Sequence, residues 1–327
     1  MAALTFVIRR LLQALLVMTA IATVGFAVQQ SIGDPARELI GEGASLAERA
    51  ALRQRLGLDD PWPEQLLRFL GRAAAGDLGA SYTFRQPALG VILSKFSATF
   101  ELVLAASLIV IAVSIPGGIY CALRPGGWQA RTIMVASVAG LSVPVFLTGI
   151  LAIALFSVQL GWLPSYGRGD TVALGAWTTG LLTSDGLLHL LLPSFTLASI
   201  MVPLFLRLVR SQMLEALSQD YVRTARAKGL PPMRVWLSHA LRNAAIPLVT
   251  LGGLQVGTLL AYTILTETVF QWPGMGFLFL DAVARSDTPL IIAYMVFVGA
   301  LFVLINTLVD LAYLLIDPRV TLAGPVR

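Results

Sequence analysis

An all-α, polytopic membrane protein with six spanning helices is the fold class this sequence predicts, on three observations. The first is composition: of 327 residues, 57% are hydrophobic and 13% charged, against about 25% charged in a soluble domain, and the mean hydropathy is +0.79. The second is six windows free of Asp, Glu, Lys and Arg, at 11–33, 102–123, 132–167, 186–206, 243–266 and 288–309, each long enough for the roughly 20 residues that cross a bilayer core. The third is charge asymmetry. With a cytoplasmic N-terminus, Arg9, Arg10, Arg124, Arg131, Arg207, Arg210, Arg223, Arg226, Lys228, Arg234, Arg242, Arg319 and Arg327 face the cytoplasm, and the two short outer loops hold only Arg168 and Arg285. This is the positive-inside pattern, and it places both termini inside. It also explains the net charge of +5 without a nucleic-acid partner.

The first span carries Gly25 and Ala27 at a cleavage-like spacing, yet its apolar run exceeds the h-region of a signal peptide, so it reads as a retained helix. Residues 31–98 read as a folded outer segment. Ser45 and Glu48 form a capping box and Gly57 a left-handed stop. A second short helix follows Asp60, with Pro61 in its first turn and an apolar side of Leu66, Leu67 and Leu70. "GDLGASYTFRQP" at 76–87 is a turn-rich link back to the membrane.

The second span, about 99–123, ends in a tight cytoplasmic turn, "RPGGWQAR". The third contains Pro144, which bends it, either to line a pathway or to pack. Trp162 and Tyr166 sit where the chain leaves the outer face, and 171–185 is an outer loop. The fourth span, about 187–209, carries Pro193 and Pro203. Glu101, Glu267 and Asp310 lie near span ends, where carboxylates snorkel to the headgroups. Pro144, Pro203 and Glu267 are the candidates for a pathway or a kink. Lone Cys121 and the separated His189 and His239 have no metal-ligand spacing, so structural roles are expected of all three.

The most polar stretch is "DYVRTARAKGLPPMRVWLSHALRNAAIP", 220–247. Good helix formers run from Ser211 to Lys228, Gly229 stops them, and Pro231 and Pro232 open a second helix ending near Asn243. A helical hairpin over 211–243 results. Its cations could rest on anionic lipid, but between Ser218 and Gly229 the larger apolar residues are only Tyr221 and Val222. Small Ala225 and Ala227 among Arg223, Arg226 and Lys228 suit a knob entering a protein groove better than a membrane surface.

"YVRTARAKGL" followed by "HALRNAAIP" resembles the cytoplasmic coupling loop of the permease subunits of bacterial ABC importers, in the dipeptide/oligopeptide/nickel branch. Aligned on Gly229, Arg223, Thr224 and Ala225 take the positions of that loop's Glu-Ala-Ala, so the Glu is absent, and Ile246–Pro247 falls later than in the broad pattern. "LGLDDPWPEQ", "GDLGASY", "ATFELVLAA", "SVPVFLTGILAIALFSVQLGWLPSYG", "LLPSFTLA", "ETVFQWPGMG" and "NTLVDLAYLLIDPRV" extend the resemblance along nearly the whole chain.

The resemblance implies a type I importer permease architecture in the inner membrane. It divides the chain into an N-terminal helix over 1–30, an outer helical loop over 31–98 and a permease core over 99–327. Asp220, Tyr221, Arg223, Thr224, Ala225, Arg226, Ala227, Lys228 and Gly229 would couple the core to a cytoplasmic ATPase. The implied partners are a second, homologous permease, two ATPase subunits and an external solute-binding protein; the outer helices at 46–75 and the turn at 271–276 are the candidates for its docking, or else form a lid that packs on the spans. ATP and magnesium belong to the ATPases: the two lysines, Lys95 and Lys228, precede Phe96 and Gly229, whereas a P-loop needs Lys followed by Ser or Thr. No cofactor, metal or catalytic residue is therefore expected in this chain. The implied function is inward movement of short peptides or a related solute such as a nickel complex. The alternative is a self-contained ion-coupled carrier, which would show inverted repeats and a midplane site.

Overall fold

Each predicted window overlaps a helix, the third being broken at Val143–Pro144 and leaving the helix after Gln159. The computed structural model describes residues 2–32, 45–56, 58–141, 143–175 and 177–316. In chain order the helices are α1 (Ala2–Ile32), α2 (Leu46–Leu56), α3 (Trp62–Ala74), α4 (Ala88–Leu123), α5 (Trp128–Leu141) and α6 (Val145–Ala152, widened into a π-helical stretch over Ile153–Gln159). Strands β1 (Val172–Leu174) and β2 (Trp177–Thr179) precede α7 (Ser184–Ser218), α8 (Asp220–Ala227), α9 (Pro232–Val269), α10 (Met275–Ala284) and α11 (Thr288–Ile316). Among the described residues, α4, α7, α9 and α11 are each long and apolar enough to cross a membrane, α5 with α6 reads as one broken span, and α1 adds an apolar stretch over Leu12–Ala27.

Two compact units emerge, one from the segments up to Ser97 with Gly274–Leu304, the other from Ala98–Pro273 with the segment from Ile305. In the first, Ala22 and Phe26 of α1 pack with Phe69 of α3 and Ile292 of α11, and Leu66 and Leu70 flank them. The Phe26 and Phe69 rings stack at 5.8 Å. Leu67 was expected on that apolar side, but it is 68% exposed, because consecutive helical residues are about 100° apart and Leu67 falls off the 66/70 stripe. Pro61 precedes α3 as its N-cap rather than lying in the first turn, where Pro63 stands. The Ser45–Glu48 capping box forms as expected, the Ser45 amide donating to Glu48 Oε2 at 2.9 Å and the Glu48 amide to Ser45 Oγ at 3.3 Å. Gly57 lies outside the described residues. The link at 76–87 is fastened by Asp287, whose buried carboxylate accepts from Ser81 Oγ and from the amides of Tyr82 and Thr83 at 3.1 and 3.0 Å.

In the second unit, Ala98, Leu102, Ala106 and Val110 form one face of α4 against Leu190, Leu197, Ala198 and Met201 of α7, with Leu259 and Trp272. Small residues let backbones approach in a bilayer: a methyl on Gly118 of α4 would lie 2.5 Å from Val209 of α7.

Several expectations needed correction. Helix α4 starts at Ala88, ahead of the 99 expected for the second span; Lys95 and Ser97 interrupt the apolar window but not the backbone hydrogen bonding. Pro144 breaks its helix rather than bending it, standing as the N-cap of α6 at φ −56° and ψ 141°. The loop at 171–185 contains an antiparallel hairpin, Val172 opposite Thr179, turned at Gly175 with φ +65°. Helix α10 was not anticipated beyond the turn at 271–276. The polar helix opening at Pro232 does not end near Asn243 but runs into the membrane to Val269, since neither Arg242 nor Asn243 breaks a helix whose next turns are apolar.

Candidate functional site

The polar stretch folds as a hairpin between α7 and α9. Helix α7 runs straight out of its apolar window to Ser218, and the extended backbone of Gln219 (ψ 151°) ends it. The next helix, α8, has Asp220 in its first turn, 3.3 Å from Arg223. At its end Leu230 N–H donates to Ala225 O at 3.3 Å and Gly229 N–H to Arg226 O at 2.9 Å, the two bonds of a Schellman stop, with Gly229 at φ +73°. Pro231 and Pro232 then open α9.

Two opposed faces follow from the helical period. Val222 and Ala225 are buried against Val235, with Leu217, Leu230 and Trp236 around them. Asp220, Arg223, Thr224, Ala227 and Lys228 point away and are exposed, as is Tyr221. Ala225, expected as half of an outward knob, is therefore an inward packing residue, because it lies one turn from Val222. Ala227 alone keeps the outward role. Arg226 is exposed but sits on the flank nearest the buried stripe, lining a pocket of about 510 Å³ with Tyr120, Leu123, Arg124, Pro232 and Trp236.

At the other end of this unit lies a polar cluster whose members are buried. Glu101 is 1% exposed and accepts from Arg168 Nη2 at 2.8 Å and Nε at 3.2 Å. Arg168 also donates to the Thr178 carbonyl at 2.7 Å, and Gly180 N–H donates to Glu101 Oε1 at 3.2 Å. The ion pair thus ties the base of the β-hairpin to α4. Glu267 is fully buried and accepts from Thr99 Oγ1 at 2.7 Å. Neither carboxylate snorkels: both face protein, where a charge needs a partner rather than a headgroup. The Asp310 side chain lies outside the described residues. The signal for the ion pair was present in the sequence, since Glu101 borders an apolar window and Arg168 is one of two cations in the short outer loops.

An apolar groove of about 490 Å³ lies between α4, α7 and α9, with Ser107, Ser114 and Gln255 as its polar lining. Pro144, Pro203 and Glu267 do not line it. Pro203 is buried inside α7, and the neighbouring Val202 carbonyl accepts from Ser114 Oγ at 3.2 Å. Among the described residues no three His, Cys, Asp or Glu side chains group as metal ligands.

The family described as binding-protein-dependent transport system inner membrane component matches residues 114–322, and its N-terminal companion matches 3–108. The chain is 42% identical to the di/tripeptide transport system permease protein of Pseudomonas aeruginosa (strain UCBPP-PA14), covering 97% of this chain and 98% of that one. It is 39% identical to the dipeptide transport system permease protein of Escherichia coli (strain K12), with the same coverage of both. To the glutathione transport system permease protein of Pectobacterium atrosepticum it is 40% identical, over 88% of this chain and 89% of the relative. Among solved structures, the inward-facing MetNI methionine ABC transporter shares the fold at TM-score 0.52 and 18% identity, covering 69% of this chain and 96% of the other.

Proposed function

The chain belongs to the inner membrane components of binding-protein-dependent transport systems, and from that premise we propose that it is the permease subunit through which an ATP-driven importer moves short peptides inward. The relatives are named for dipeptides, di- and tripeptides and glutathione, which supports short peptides as the solute class. Membership of an ABC importer family implies ATPase and solute-binding partners. The finer assembly we assign is one homologous permease beside this chain, two ATPases on the cytoplasmic side and a solute-binding protein outside, with both termini cytoplasmic.

The observation that carries this reading is the two-faced hairpin. An isolated eight-residue helix is not stable in water, so α8 depends on Val222 and Ala225 to fix it on Val235. That leaves Arg223, Thr224, Ala227 and Lys228 exposed on a short helix seated on α9 and joined to α7 through the extended Gln219 and to α9 through the Gly229 stop. A groove in an ATPase gripping this face would transmit its closure into both membrane helices. ATP chemistry stays with the partner, because neither lysine of this chain has P-loop context. The groove lined by Ser107, Ser114 and Gln255 is this chain's wall of the solute path in the proposal.

Uptake of a labelled dipeptide by proteoliposomes holding the assembled transporter tests the reading. Uptake should require ATP and the binding protein, and cross-linking from Thr224 or Ala227 should capture an ATPase. Uptake driven by an ion gradient without ATP, or cross-links to lipid alone, would overturn it in favour of a self-contained carrier.

A further inference from the structure

The inward flank of the hairpin holds a second site. Arg124, just past the end of α4, and Arg226, near the end of α8, are about a hundred residues apart in sequence yet line the same pocket with Tyr120, Pro232 and Trp236. Arg124 lies over the Tyr120 ring at 5.4 Å, and Tyr120 Oη donates to Gln129 Oε1. Neither guanidinium has an ion-pair partner among the described residues, and no acidic side chain lines the pocket. Two like charges lining one pocket without a counter-ion repel each other, and an anion bound in that pocket offsets the repulsion. The end of α4 opposes an anion with about half an elementary charge, which two full positive charges outweigh.

We propose that this pocket binds the phosphodiester headgroup of an anionic phospholipid of the cytoplasmic leaflet. Its depth favours lipid over a soluble anion: it opens at the last turn of a spanning helix, where Tyr120 and Trp236 supply the amphipathic rings found at headgroup level, beside exposed Trp128. Basic pockets between spanning helices on this side select such headgroups. Arg226 reaches the lipid from the flank of α8, while Arg223, Thr224, Ala227 and Lys228 keep the opposite face for protein. A bound headgroup would therefore brace the hairpin against α4 without competing for the ATPase.

The test uses the assembled transporter, purified in mild detergent from membranes containing phosphatidylglycerol, cardiolipin and phosphatidylethanolamine, with co-purified lipid quantified by mass spectrometry. Wild type should be enriched in the anionic lipids. Arg124→Gln and Arg226→Gln should each lower that enrichment about fivefold, from roughly one cation's contribution at a membrane surface, and Arg124→Lys with Arg226→Lys should retain most of it. The control pair Arg131→Gln and Arg234→Gln, exposed arginines outside the pocket, should change it less than either pocket variant. Equal loss in the control pair, or no loss in the pocket variants, would overturn the site. So would full displacement of the lipid by millimolar inorganic phosphate, or shedding of the ATPases with lipid retained. Should the Gln variants fail to accumulate, a photoactivatable phosphatidylglycerol on the wild-type complex decides: label on the peptides around Tyr120–Arg124 and Arg226–Trp236 supports the proposal, and label only elsewhere refutes it. Both readouts are independent of peptide uptake, so their failure leaves the transport reading standing.

Discussion

The polar hairpin and the buried polar cluster use the same residue types under opposite physical regimes. At the hairpin the charges are solvent-accessible: Asp220 and Arg223 are 95% and 73% exposed, and such a pair contributes little to stability. At the buried cluster Glu101 and Arg168 are 1% and 9% exposed, and removal of either partner leaves a buried charge alone. Charge in the first region is therefore available to a partner, and charge in the second fixes shape, holding the β-hairpin to the start of the α4 core. Exposure, rather than residue type, separates a contact surface from a clasp.

The largest effect expected on this comparison is at the clasp. Arg168→Leu should destabilise the protein by about 3–5 kcal/mol, seen as a lower melting temperature in detergent and less protein in the membrane. The double variant Glu101→Leu, Arg168→Leu should recover much of that loss, since no lone charge remains. If Arg168→Leu matched Arg223→Leu in stability, the two regions would not differ in kind.

Next is the turn of the lever. Gly229→Pro forces φ near −65° where the chain adopts +73° and removes the amide that bonds Arg226 O, a disruption of roughly 3 kcal/mol confined to the hairpin. Dipeptide uptake should fall more than about tenfold while the amount in the membrane is unchanged. A smaller effect separates the two alanines of α8. Ala225→Trp overpacks the seat against Val235 and should cost about 1–3 kcal/mol, whereas Ala227→Trp should leave the melting temperature unchanged and weaken ATPase retention on purification. The same outcome for both would remove the distinction between the faces.

The smallest effect is at the capping box. The backbone and side-chain hydrogen bonds from Ser45 hold the Glu48 carboxyl below its ordinary 4.5. A depressed folded-state value means the cap's contribution is present above the unfolded value and lost as pH falls through the folded one. Hydrogen exchange over 46–56 should quicken as pH drops below about 4.5 after correction for intrinsic rates, and Glu48→Gln should abolish that dependence.

Much of this was legible before any coordinates. The six windows, the capping box and the glycine stop at 229 all follow from local rules, because hydropathy, capping and left-handed turns are decided within a few residues of chain. The failures share a cause as well. Ala225 and Ala227 are the same residue two positions apart, and only the partner helix, through Val235, makes one inward. Glu101 and Glu267 read as snorkelling carboxylates since distance from a span end is visible in sequence, while the Arg168 and Thr99 that receive them depend on which helices pack together. Pro144 was placed correctly as a disruption, yet a proline alone does not say whether neighbours allow a bend or a break.

By itself, then, the sequence determined that the chain is a multi-pass membrane protein with one polar helical hairpin between its spans, because the bilayer imposes length and apolarity residue by residue. Tertiary structure alone decided which charges are buried and paired, which face of α8 is free, and that Arg124 and Arg226 line one pocket. Those outcomes depend on contacts between segments far apart in the chain, and no local propensity specifies them.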